Sequence, residues 1–387
     1  MDMTNKIIEK EIAVVGHVTE VYGPVQALTN YLKKQGKNII FISNPFAYCS
    51  LEKSIACIYK DKMEVKSIDG PKNPTFKKLY ALYYIRSSLF TFIQVVKRRK
   101  RVGLYIGIDN LNAFIGLILK KLGYVDKVVY YVIDYTKKRF LLGFFNWLYH
   151  FIDRICIKNA DYIWNISSRI ADVRESQGVN MERNLVVPVG VELEKIKKPN
   201  DSERDKNLLV AVSHLTESKG IQLIIDVMSD LRNELSAVKL HIIGTGPYES
   251  VLIDMVKKMG LDEYIKFLGP MNHDDLFAYL PKCGIALATY TEDPDSITYY
   301  ADPTKPKEYL ACGLPVIITK VPWIAEAIDN KHMGIAIHYK KDDLKNAIIK
   351  MLQDSDFYDE CRINAFDFAS KLSWDQIYDK ALDESRI

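Results

Sequence analysis

The stretch Asn207–Met228, NLLVAVSHLTESKGIQLIIDVM, decides the fold. Leu208–Val212 is an unbroken apolar run of strand length, a polar loop follows, Gly220 closes it, and a helical pattern runs over Gln222–Glu234. A continuous apolar strand feeding a helix through a short glycine-marked loop is the unit of a parallel sheet covered by helices.

The same unit repeats in both directions. Downstream come AVKLHIIGTG, a helix over Tyr248–Met259, then IKFLGP, GIALATY, LPVIIT and GIAIHY. Upstream, EIAVVGHV reads as a strand, Pro24–Gln35 as an amphipathic helix and NIIFIS as a second strand; RVGLYIGID, the helical LNAFIGLILKKLG, KVVYYVID, ADYIWNIS and NLVVPVGV continue the rhythm. The charged, apolar-poor segment Glu194–Asn207 separates the two series as a linker does. The expected architecture is α/β, two Rossmann-like doubly wound domains over residues 1–200 and 201–372, with 373–387 a terminal helix returning to the first domain. Open parallel sheets bind ligands beyond the carboxyl ends of their strands, so a ligand cleft between the domains is expected.

Composition agrees with this. A chain of 387 residues exceeds a single typical core, and 48% apolar with 26% charged residues is ordinary for a globular α/β protein. Six scattered cysteines lack zinc-site spacing and disulfide density, which predicts reduced thiols, a cytoplasmic protein and no metal. The N-terminus lacks signal-peptide order, and no apolar run is long enough to span a bilayer. Net charge is only +4, but residues 1–200 hold 32 Lys and Arg against 18 Asp and Glu, whereas the remainder holds 21 against 31. A basic first half suits an anionic surface or acceptor.

Three stretches carry candidate chemistry. In ADPTKPKEYLACGLPVI, Ala301–Ile317, a helix beginning near Thr304 places Lys305 and Glu308 on one face, beside N–H groups that have no intrahelical partner. The plainer reading is a helix start with Thr304 as cap and Lys305 in solvent. His214 and Lys219 lie in the loop after Leu208–Val212, where a phosphate would bind. GTGPYES, Gly244–Ser250, is a glycine turn from strand to helix that permits close backbone approach, although it lacks the third glycine of a dinucleotide fingerprint.

In this order, VAVSHLTESKGIQLIIDVM, LHIIGTGPYESVLIDMVKKMGLDEYIKFLGPM, LPKCGIALATY and DPTKPKEYLACGLPVIIT resemble the nucleotide-sugar half of GT-B glycosyltransferases, specifically family 4, over roughly residues 208–330. The first half resembles that family more loosely. The resemblance implies transfer of a sugar from a nucleotide diphosphate donor, UDP-sugar above all, to an acceptor hydroxyl with retained configuration and without metal or other cofactor. It implies Lys219 on the phosphates with His214 where the family has arginine, Glu308 on the ribose, Gly244 and Gly246 as the glycine turn, and Leu268 and Gly269 beside the base. Thr304 and Lys305 complete the expected donor site. The family's first acidic residue falls at Tyr300. Either the sugar is held differently, or Asp295 or Asp302 substitutes, or the motif is a Pro-x-Lys-x-x-Glu version, which Pro303, Lys305 and Glu308 fit.

In the first half, Gly23 and Pro24 stand where the family has its glycine loop, and a loop there could direct N–H groups toward the ligand. Asp109 and Asp134 end consecutive strands and are the candidates for binding or polarising the acceptor hydroxyl; each could equally be a helix cap or turn former. The expected acceptor is a saccharide or lipid-linked sugar in cell-surface polysaccharide or glycolipid assembly. Lys97–Arg101, and Lys137–Arg139 with Phe140, Phe144, Phe145, Trp147 and Tyr149, suit an anionic membrane surface as well as a packed helix with a basic turn. No nucleic-acid module accompanies the charge. The rival readings are a nucleotide-sugar 2-epimerase of this fold and a catalytically silent glycosyltransferase-like binding subunit.

Overall fold

The computed structural model describes residues 10–76, 79–98, 100–140, 142–196, 203–293 and 297–387. The chain divides into two compact units, one of Met1–Val189 with Trp374–Ile387 and one of Gly190–Ser373. The division falls ahead of the charged Glu194–Asn207 segment, and Gly190–Ser373 closes on itself where Val191 N donates to Leu372 O at 2.8 Å.

Unit 1 is built on an eight-stranded sheet: β1 (Ile12–Val18), β2 (Ile39–Pro45), β3 (Lys53–Lys60), β4 (Met63–Lys72), β5 (Val102–Ile108), β6 (Val125–Val132), β7 (Tyr162–Asn165) and β8 (Asn184–Val186). Their spatial order is β4-β3-β2-β1-β5-β6-β7-β8. Strand β1 is buried along its whole length and pairs in parallel on both sides, Ile12 with Ile39 and with Leu104. The chain winds outward from β1 through β2 and then crosses back to β5, so strand order reverses between β1 and β5. Helices α1 (Pro24–Lys34), α2 (Tyr80–Val96), α3 (Asn110–Lys121), α4 (Gly143–Asn159) and α5 (Ser168–Ser176) follow in turn.

One part of the expectation needs correcting. The sheet is not wholly parallel, because β3 and β4 form an antiparallel hairpin at its edge. Its turn residues Asp61 and Lys62 have φ of 46° and 70°, the left-handed pair that a tight hairpin turn requires.

Unit 2 holds a six-stranded parallel sheet: β9 (Leu208–Val212), β10 (Lys239–Ile243), β11 (Ile265–Gly269), β12 (Ile285–Ala288), β13 (Val316–Thr319) and β14 (Gly334–Ile337), ordered β11-β10-β9-β12-β13-β14. Its order reverses between β9 and β12. Helices α6 (Ile221–Glu234), α7 (Glu249–Lys258), α8 (His273–Tyr279), α9 (Ile297–Tyr300), α10 (Thr304–Ala311), α11 (Ile324–Asn330), α12 (Lys341–Gln353) and α13 (Ser355–Ala369) cover it. Helix α6 buries Ile221, Leu223, Ile224, Ile225, Val227, Met228 and Leu231, the apolar stripe that its sequence displays.

The terminal helix α14 (Trp374–Glu384) belongs to unit 1, as expected. Tyr378 is fully buried and donates to Pro24 O at 3.0 Å, Tyr31 donates to Asp379 at 2.5 Å, and Trp164 donates to Ser385 Oγ at 2.9 Å. Among the described residues no helix is long and apolar enough to cross a membrane.

Candidate active site

In unit 2 the loops after the strands interlock through backbone contacts that only glycine permits. Gly244, at φ 127°, lies against Ser213, where a Cβ would collide with the carbonyl oxygen; a Cβ on Gly246 would strike the backbone of Leu215. Leu215 N donates to Thr245 O at 3.0 Å and Gly244 N to Gly269 O at 2.8 Å, so the β9, β10 and β11 ends form one surface. Gly220, at φ 69°, ends the 3-10 turn Glu217–Lys219 and starts α6; Thr289 Oγ1 donates to its carbonyl at 2.9 Å, which ties in the end of β12. These contacts gather His214, Lys219, Gly244, Gly246, Leu268 and Gly269 at the carboxyl edge of the sheet.

Lys219 is half-buried. Its ammonium lies 5.2 Å from the centroid of the Tyr290 ring, and burial lowers its pKa with no carboxylate to offset the effect. Tyr290 is buried, and its pKa is raised first by burial and then by Asp302 and Glu308, which brings the α10 side of the site beside Lys219. Tyr309 of α10 completes the connection, accepting from Val212 N at 2.7 Å. His214 is exposed, consistent with a side chain available to a ligand.

Helix α10 begins at Thr304, but its N-cap is Pro303 and no side chain caps it, so Thr304 is not the cap that the plainer reading supposed. Glu308 is 2% exposed and its Oε2 accepts from Lys305 Nζ at 2.8 Å. Spacing of three along the helix aligns the two side chains, so Lys305 sits on Glu308 and is not a separately projecting cation.

A second pair escaped the sequence reading. Lys307 and Asp302 are ion-paired with both side chains buried, and Asp302 Oδ1 also accepts from Trp323 Nε1 at 3.0 Å. Burial lowers the pKa of Lys307 despite Asp302, which raises it. This corrects the suggestion that Asp302 replaces the missing acid, because its carboxylate is already committed within the fold. Tyr300 is likewise buried, and Asp295 lies outside the described residues.

In unit 1, Gly23 caps α1, yet its φ of −155° is extended backbone open to any residue, and its N–H donates to Gln26 Oε1 at 3.2 Å. That N–H is therefore satisfied internally, contrary to the loop expected to aim it at a ligand. Asp134 pairs with Arg139 Nη1 at 2.5 Å; burial opposes the Arg139 charge, but Asp134, Tyr149 and Asp109 outweigh it and raise its pKa.

Asp109 caps α3 by accepting from Asn112 N at 3.0 Å, and it also accepts from His17 Nδ1 at 2.5 Å. His17, the penultimate residue of β1, has no role in the sequence reading, because a lone histidine in an apolar strand carries no signal beyond its place near the strand's end. Its ring lies against Phe46 and edge-on to Tyr84, each at 5.2 Å.

This geometry can be set beside known proteins. Residues 192–368 match the family described as glycosyl transferases group 1. That match takes in nearly the whole of unit 2. The alpha-monoglucosyldiacylglycerol synthase of Streptococcus pneumoniae is 25% identical over 199 residues, 48% of this chain and 43% of that protein. Among solved structures, Anabaena HepE (Alr3699) in complex with UDP superposes with a TM-score of 0.70 at 15% identity, covering 97% of this chain and 98% of that one. The sucrose-phosphate synthase of Thermosynechococcus elongatus gives 0.71 at 15% identity, covering 96% and 97%. These similarities establish the GT-B fold expected for the domain pair. The chain spans about half the length of the curated relatives it matches.

Proposed function

We propose that this protein is a glycosyltransferase that moves a sugar from a UDP-sugar to the hydroxyl of a saccharide or lipid-linked acceptor, with retention and without a metal ion, in glycolipid or cell-surface polysaccharide assembly. The observation that carries the reading is the single surface formed by Lys219, the Gly244–Gly246 turn and Glu308 at the strand ends of unit 2. A carboxylate accepts both vicinal hydroxyls of a ribose, and an ammonium with free loop N–H groups stabilises a departing diphosphate. HepE solved with UDP-glucose supports a UDP-sugar as donor. Purified protein offered UDP-, GDP- and ADP-sugars with cell-lipid and oligosaccharide acceptors should form a glycosylated product. Interconversion of free UDP-sugars would favour an epimerase, and donor binding without turnover a silent subunit.

We further propose that unit 1 works at the cytoplasmic face of an anionic membrane. The N-terminal half of α4 presents Phe144, Trp147 and Phe151 on one face at 65%, 52% and 42% exposure, while α4 buries only Asp153, Cys156 and Ile157. The exposed Lys137 and Lys138 precede α4 in the chain, and Asn146 and His150 of α4 bond to Lys137 O. Aromatic anchors with adjacent lysines suit the headgroup boundary.

A further inference from the structure

Two hydrogen bonds fix the loop after β9 against the end of β12. Thr291 N donates to Ser218 O at 3.1 Å, and Thr289 Oγ1 donates to Gly220 O at 2.9 Å. The pairs run in antiparallel register, Ser218 with Thr291 and Gly220 with Thr289, so Lys219 falls opposite Tyr290 as a cross-strand neighbour does. The ammonium accordingly lies 5.2 Å from the centroid of the Tyr290 ring, within the range of a cation–π contact. Both sides of this contact are anchored. Thr319 Oγ1 of β13 donates to Tyr290 O at 2.8 Å, and Gly220 fits its place only because a Cβ there would collide with Thr289 O.

The surroundings leave the ring as the partner of that charge. Among the described residues, no carboxylate acts on Lys219, and burial lowers its pKa. The two carboxylates nearby have lysines of their own: Glu308 accepts from Lys305 at 2.8 Å, and Asp302 pairs with Lys307 and accepts from Trp323. Both nevertheless act on Tyr290, which is 6% exposed, and raise its pKa after burial has done so. The ring is therefore within reach of the cation and of both carboxylates. A half-buried ammonium with no counter-charge tends to lose its proton, and the face of an aromatic ring opposes that loss by attracting the cation without neutralising it.

We infer that Tyr290 is a positioning residue of the donor site, whose ring holds the Lys219 ammonium apart from Glu308 and Asp302 and presents it to a diphosphate. The inference rests on the donor reading above and deepens it. An ammonium that settled on Glu308 would compensate a carboxylate that Lys305 already serves and would be lost to an anionic ligand. Held on the ring, it keeps its full charge for the phosphates. The tyrosine acts through Lys219, so its contribution to binding exists only while that lysine is present.

The test uses the full chain, its Tyr290→Phe, Tyr290→Leu and Lys219→Met variants, and the double variant Tyr290→Leu with Lys219→Met. UDP binding is measured by calorimetry, and the ε-methylene protons of Lys219 are followed by NMR. Tyr290→Leu should weaken UDP binding about 3–30-fold, the scale of a partly desolvated cation–π contact, and phenylalanine in its place should rescue it. With Lys219→Met already present, Tyr290→Leu should cost nothing further, a result that a role in packing alone would not give. The methylene protons should be shifted upfield by the ring in wild type and Tyr290→Phe, and not in Tyr290→Leu. An equal loss on leucine replacement with and without Lys219, or unchanged UDP affinity in Tyr290→Leu, overturns the inference. Ordinary lysine positions for these protons in the wild type do so as well, with no variant required to fold. A wild-type chain that does not bind UDP overturns the donor reading instead, and the methylene shift then still decides whether the ring holds the ammonium.

Discussion

Lys305 Nζ stands 2.8 Å from Glu308 Oε2 in the N-terminal half of α10, and Glu308 is almost wholly buried while Lys305 remains one-third exposed. The pair therefore presents a carboxylate whose orientation is fixed before any ligand arrives. In the proposed complex Glu308 accepts from the ribose. Replacing it by Gln should weaken UDP binding by about 1.5–3 kcal/mol, the scale of a charge-assisted hydrogen bond. Lys305→Ala should cost less, since its ammonium acts mainly through Glu308. Calorimetric titration with UDP separates the two effects.

Lys219 gives a pH signature. Burial lowers its pKa, so the folded state releases this proton at a lower pH than the unfolded chain does. The associated destabilisation is fully present below the folded pKa and is relieved as pH rises from that value toward the ordinary lysine pKa. Diphosphate binding requires the charged form, so UDP affinity should decline over the same rise in pH. In Lys219→Met, affinity should be lower and this decline absent. Titrations with UDP across the alkaline range check both statements.

The buried pair of Asp302 and Lys307 should matter for stability more than for chemistry. Asp302→Asn strands a buried ammonium and is expected to lower the unfolding free energy by about 3–5 kcal/mol, whereas replacing both partners with apolar residues should cost less. Urea unfolding of the single and double variants provides the measurement.

Gly244 combines a left-handed φ with a backbone neighbour in the space a side chain would occupy. Gly244→Ala should destabilise unit 2 by about 1–3 kcal/mol or more and shift the loops that carry Lys219, lowering UDP affinity. Gly23→Ala, in extended backbone with open space around it, should change UDP affinity little.

For the membrane proposal, the protein should float with anionic vesicles at low salt and remain unbound to neutral ones. Phe144→Ser combined with Trp147→Ser should abolish flotation without altering UDP binding. Flotation unaffected by the double replacement would contradict it.

The parallel strands, the two-sheet organisation and the glycine-bearing loops at the strand ends of unit 2 were legible because continuous apolar runs and glycine turns are local signals. What escaped has local physical reasons. The β3–β4 hairpin turns through Asp61 and Lys62, without the glycine that marks a tight turn, and its outer strand is largely exposed. Two lysines lie two positions apart in α10, and lysine is so rarely buried that no sequence signal marks Lys307 as the one that turns inward. Asp109 was visible as a strand-end carboxylate, but its partner His17 lies on another strand, and only strand pairing brings them together. Asp302 looked available until Trp323 and Lys307 were found on its carboxylate.

The central claim is that unit 2 binds a nucleoside diphosphate through Lys219 and Glu308. Calorimetric titration of the full chain with UDP tests it most directly, alongside Lys219→Met and Glu308→Ala. Saturable one-to-one binding by wild type, weakened at least about tenfold in each variant, is the predicted result. No UDP binding by wild type, or equal affinity in all three proteins, would contradict it.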